Sequence, residues 1–183
     1  MEAGATLFAA LIGGLFSLGG AYFSIRWQYK HQDKQKEDTI RSFCLDHMAY
    51  MIELARDVET MYQRQGAVWY EHIDRIDNAM SVLNRNFEHL IYISSDDLRN
   101  RIRRFFSDLY FMSQRARFAQ DEIYRLQREL EASGKTESLH LQQITNKLSE
   151  VRAQAKEFVL EIKSAALRGE ELRNELQKLQ KRT

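Results

Sequence analysis

The chain contains no proline, and its eight glycines are unevenly placed. Five of them fall within the first 20 residues, leaving Gly66, Gly134 and Gly169 for everything that follows. A chain so poor in helix breakers and turn residues has few places at which a helix must stop. Its Leu, Gln, Glu, Arg, Lys and Ala content favours helix, and no alternating apolar–polar run bounded by turn signals reads as a strand. Cysteine is nearly absent too. Cys44 stands alone, which excludes an internal disulfide, agrees with a reducing compartment and reads as a small buried hydrophobe. Charge of one sign is missing as well: 27 basic residues face 26 acidic ones. That balance argues against the broad basic field of a general nucleic-acid binder, so nucleic acid is not an expected partner.

The most telling absence is local. Residues 3–25 carry no charge. As a helix this stretch reaches about 35 Å, enough to cross a bilayer, and around that helix its residues are sorted by size. Thr6, Ala9, Ala10, Gly13, Gly14, Ser17, Gly20, Ala21 and Ser24 share an arc of roughly 140°. Leu7, Phe8, Leu11, Ile12, Leu15, Phe16, Leu18, Tyr22, Phe23 and Ile25 fill the opposite half. An anchor needs only apolar surface, whereas a face of small residues lets another helix approach closely. Residues 1–27 are therefore expected to form a transmembrane helix that assembles with copies of itself. Thr6, Ser17 and Ser24 lie within about 20° of one another on the small face. In a ring they would line a narrow polar path; in a dimer they would bond to helix carbonyls or across the interface.

The flanking charges set the orientation. Only Glu2 and the chain terminus precede the span, while Arg26, Lys30, Lys34 and Lys36 follow it. Positive charge stays cytoplasmic, so the N-terminus is expected outside, with the rest of the chain in the cytoplasm and the span in the inner or plasma membrane. Trp27 and Tyr29 sit where an interfacial aromatic belt belongs. A cleaved signal peptide, with Gly19 and Ala21 before the cut, is the rival reading. It lacks a basic n-region, and its apolar segment is longer than usual.

Residues 28–38 read as a helical, charged polar linker, and residues 39–183 as a cytoplasmic bundle. About 156 residues outside the span suffice for one cored domain. Four apolar seams step by threes and fours. They run Ile40–Met61 through Cys44, His47, Met51, Leu54 and Val58; Trp69–Leu90 through Ile73, Ile76, Met80, Leu83 and Phe87; Leu98–Leu130; and Leu141–Leu179. Gly66 separates the first two. Ser94 to Asp97 separate the second from the third, with Ser94 able to cap, and Ser133 to Lys135 separate the third from the fourth. Such short connections make neighbouring helices antiparallel. The predicted fold is all-α: one N-terminal transmembrane helix, then an antiparallel four-helix bundle whose third and fourth helices, about 38 and 47 residues, are long. The end of the fourth, from Leu172, is expected beside the linker.

Candidate sites follow from charge. Lys30, Lys34, Lys36, Lys178, Lys181 and Arg182 are placed to meet anionic lipid. Arg99, Arg101, Arg103 and Arg104 crowd the start of the third helix. They read either as lipid or phosphate contacts or as partners of Asp33, Glu37, Asp38, Asp96 and Asp97. A bundle di-metal site needs two Glu-x-x-His pairs and two further glutamates. Only Glu137-x-x-His140 fits, and there is no His-Glu-x-x-His or Cys pair, so neither metal nor cofactor is expected.

Arg41 through His47 has the form Arg-x5-His. It resembles the Arg-x4-6-His motif of HEPN ribonucleases, which are helical bundles. The resemblance implies two copies meeting at a dimer interface to cut RNA without metal, with Arg41 and His47 catalytic. That family usually places the motif late in the fold, whereas here it lies in the first bundle helix, with His47 on an apolar seam. The layout as a whole is similar to that of some accessory membrane proteins of CRISPR systems, with one N-terminal span, a HEPN-like bundle and ring-shaped assembly. The principal expectation is non-enzymatic: a self-associating single-span protein whose bundle controls assembly, with pore formation in antiviral defence or stress as its activity if the oligomer is a ring. The alternatives are a membrane-tethered HEPN-like RNA-binding protein or ribonuclease, and a scaffold that recruits a soluble protein partner.

Overall fold

The computed structural model describes the backbone of residues 2–133 and 138–182 and the side chains of residues 21–133 and 139–181. All described elements are helical. Helix α1 spans Glu2–Gln65, α2 Tyr70–Asn86, α3 Asp96–Ala132 and α4 Ser138–Arg182, with a 3-10 turn over Phe87–Tyr92. The predicted linker brings no break, because α1 passes through residues 28–38 as one continuous helix.

Each junction has a local cause. Gly66, at φ +66°, takes the left-handed conformation that ends α1, and its N–H donates to the Tyr62 carbonyl at 2.8 Å. Val68 is buried, its N–H donating to Oε1 of the buried Gln120 at 2.9 Å. Trp69, expected on the second seam, is instead 42 % exposed, because it starts α2 from an extended conformation outside the helical period. That seam was also expected to stay helical through Leu90. It tightens at Phe87, where three residues per turn stack Phe87, Leu90 and Ile93 along one inward face. The cap of α3 is Ser95, whose hydroxyl accepts from the Leu98 N–H at 3.3 Å, and not Ser94.

Cross-helix pairs fix the directions. Arg101–Glu175, Asp108–Arg168 and Glu122–Lys147 descend antiparallel between α3 and α4. Arg56–Glu170 and Glu59–Lys163 do the same between α1 and α4, and Asp74–Arg117 with Tyr70–Asp121 between α2 and α3. The bundle therefore runs up, down, up, down. By the Arg56–Glu170 and Glu59–Lys163 rungs, the end of α4 comes level with residues 40–44. It therefore stops short of residues 28–38, beside which it was expected.

The core has two parts. The larger joins all four helices around Met48, Met51, Leu54, Ile73, Leu83, Ile102, Phe106 and Leu109. The buried residues of the smaller come from α3 and α4, Ala119, Ile123, Leu126, Ile144, Leu148, Val151 and Ala155, with Tyr62 of α1 packed against its near end. Those two helices extend past the Gly66 turn, so the far end of the molecule is a two-helix arm.

Candidate functional site

The part of α1 outside the bundle is the first feature that packing does not explain. Residues 21–36 are exposed at every position. They include Tyr22, Phe23, Ile25, Trp27 and Tyr29, between 53 % and 72 % exposed. The first contacts with the bundle come at Lys36, whose ammonium lies 5.0 Å from the Tyr92 ring centre, and at Glu37. Of the predicted small face, Ala21 and Ser24 are exposed. Thr6, Ala9, Ala10, Gly13, Gly14, Ser17 and Gly20 lie outside the residues whose side chains are described. Among the described residues no helix is long and apolar enough to cross a membrane. The stretch predicted to do so lies mostly outside them.

Glu37 is where α1 is clamped to the bundle. Its Oε1 accepts both the N–H of Ser94, at 3.1 Å, and the Ser94 hydroxyl, at 3.0 Å. The same oxygen takes the Arg41 guanidinium at 2.6 Å. Arg41 is 8 % exposed; its Nη2 makes this bond, and its Nε is buried without a partner. His47 lies six residues on, about 120° around the helix. It is half-buried against Phe43, ring centres 4.5 Å apart, with Nε2 unpartnered. Burial pulls its pKa down, and the neighbouring Asp46 opposes this. Within one chain Arg41 and His47 thus face different surroundings and do not converge on a common cleft.

The arginine cluster divides. Arg99 pairs with Asp96 and donates to the Ile93 carbonyl, tying the start of α3 to the preceding turn. Arg101 grips Glu175 with two bonds, at 3.1 and 2.7 Å, and Asp97 at 3.6 Å; the Glu175 bonds raise its pKa further. Two of the acids predicted as partners, Asp96 and Asp97, therefore meet the cluster, and Glu37 is used elsewhere. Arg104 and Arg168 share the Asp108 carboxylate at 3.8 Å each, beyond hydrogen-bond length. Arg101, Arg104, Phe105, Asp108 and Arg168 line an open cleft of about 540 Å³ between α3 and α4. Arg168 was invisible in the sequence as a member, being 64 residues from Arg104 and brought there only by the α3–α4 turn. Phe105, which lines the cleft, also packs on Gly169, where any Cβ would run into its ring.

The remaining predicted cations do not gather with these. Lys30, Lys34, Lys36, Arg103, Lys178 and Lys181 are exposed, and the Arg182 side chain lies outside the described residues. Among the described residues no three metal-binding side chains cluster. His140 stands 3.9 Å from Glu129, and its predicted companion Glu137 lies outside them. No protein-family model, curated protein or solved structure matches the chain.

Proposed function

We propose that this chain is a single-pass membrane protein whose copies assemble in the bilayer through the small-residue face of residues 6–24, with the helical bundle standing in the cytoplasm and governing that assembly. The observation that carries the reading is the reach of α1. It extends about 50 Å beyond Glu37 as one rigid rod. Its described stretch there is exposed on every side and carries two aromatics for a headgroup belt, Trp27 and Tyr29. Leaving one large apolar side chain in water forfeits about 1.5–3 kcal/mol, so the uncharged stretch of this helix, residues 3–25 and about 35 Å long, calls for apolar surroundings. Its continuity with the bundle means that a rotation or tilt of the bundle is passed directly to the membrane end. If copies close into a ring, Thr6, Ser17 and Ser24 would face the axis, and the activity would be a conductance governed from the cytoplasm, as in a defence or stress effector.

Two measurements test this. Flotation with liposomes reports whether the full chain is membrane-bound, and replacement of Gly13 by Leu reports whether the small face holds the copies together. The reading requires membrane binding to survive that substitution and assembly to be lost. The ribonuclease alternative would need Arg41 and His47 to act on one phosphodiester, and their separate surroundings give it less support.

A further inference from the structure

We infer that neighbouring copies touch head to tail through their bundles, with Phe111 of α3 in one copy against Leu167 of α4 in the next. The inference rests on the membrane-assembly reading above. Phe111 and Phe118 are 58 % and 69 % exposed, and Leu160 and Leu167 are 52 % and 54 % exposed. Each pair is spaced by seven residues, which places both members on one helix face about 10.5 Å apart.

Height is the deciding constraint. Copies anchored in one bilayer and related by an axis normal to it keep every residue at its own height, so only patches at equal height can meet. The Arg101–Glu175 and Asp108–Arg168 rungs give the register between α3 and α4. By that register Leu167 lies within about two residues of the height of Phe111, an offset near 3 Å, whereas the Arg115–Phe158 contact and the Glu122–Lys147 rung put Phe118 level with residues 151–155, about 8 Å or more from Leu160. Phe111 and Leu167 therefore match without vertical slip.

The charges match too. Arg104 lies one heptad before Phe111 on α3, and Glu171 lies one turn past Leu167 on α4, at nearly the same height. Arg115, between the two phenylalanines, lies over Phe158 and so is level with about Glu157. Arg104 has only the long 3.8 Å contact to Asp108, and Arg115 lies over the rings of Phe111 and Phe158 without a carboxylate partner. Among the described residues Glu157 and Glu171 make no ion pair. A contact between two different faces is heterologous, and repeated about one axis it closes into a ring and does not stop at a dimer.

Cysteine cross-linking in detergent-solubilised full-length protein tests the contact. Cys44 is fully buried, and burial pushes its thiol pKa up to about 12, so the background is silent. Under mild oxidation the chain carrying both Phe111→Cys and Leu167→Cys should give a ladder of linked multimers. A mixture of the two single variants should stop at dimers, and neither single variant alone should link. Dimers from Phe111→Cys alone would overturn the proposal in favour of a two-fold contact. Multimeric particles in which the double variant fails to link would overturn this contact while leaving membrane assembly standing. Unmodified protein counted as one copy per particle would overturn the assembly reading and this contact with it.

Discussion

One oxygen of Glu37 holds Ser94 by both its N–H and its hydroxyl while also bonding Arg41, so a single carboxylate joins the projecting helix to the turn that precedes α3. Replacing Glu37 with Gln keeps the shape and removes the charge. The poorly exposed Arg41 guanidinium then loses its ion-pair partner. The expected loss is about 1–3 kcal/mol, measured as a lower urea midpoint at unchanged slope. Arg41→Met in the Glu37→Gln background should add less than it does alone, because the two residues act through one contact.

Gly169 of α4 lies directly against the Phe105 ring of α3. In a free helix Gly→Ala gains about 1 kcal/mol. Here the added methyl meets the Phe105 ring, and overpacking of this kind costs about 1–3 kcal/mol. Gly169→Ala should therefore lower the melting temperature, and Phe105→Leu should relieve the clash. A rise in melting temperature for Gly169→Ala alone would contradict the packing.

His47 gives the fold a pH dependence. Its folded-state pKa is lowered by burial, so the unfolded chain binds the proton more readily. The sign follows: the neutral His47 contribution is fully present above the unfolded value near 6.5 and is lost as pH falls through it. Urea midpoints should fall between pH 7 and pH 5, and His47→Gln should flatten that fall. An equal fall in the variant would assign the effect to other groups.

Much of the bundle was legible in the sequence because helices announce themselves through spacing. Four apolar seams with a glycine or a serine–aspartate break between them leave few arrangements, and the observed lengths of α3 and α4 differ from the predicted ones by about two residues. Within α1 the seam was too narrow. Met48, Ile52 and Ala55 are buried beside the predicted Cys44, Met51 and Leu54, because a helix with neighbours on two sides buries a wider arc than a coiled-coil stripe. The 3-10 turn was illegible because Phe87 and Leu90 fit either helical period, and only Ile93 at the next step of three separates them. Arg101 and Arg104 were named from their local crowding. Arg168 and Glu175 were not, since their partners are fixed by the register of two long helices and not by proximity in sequence.

Counting copies per particle, by native mass spectrometry of the full chain in detergent, bears most directly on the membrane-assembly proposal. Several copies should be found for the unmodified protein and one for Gly13→Leu, with the helical signal of the bundle unchanged. A single copy in both, or the same multimer in both, would contradict assembly through the small face of the first helix.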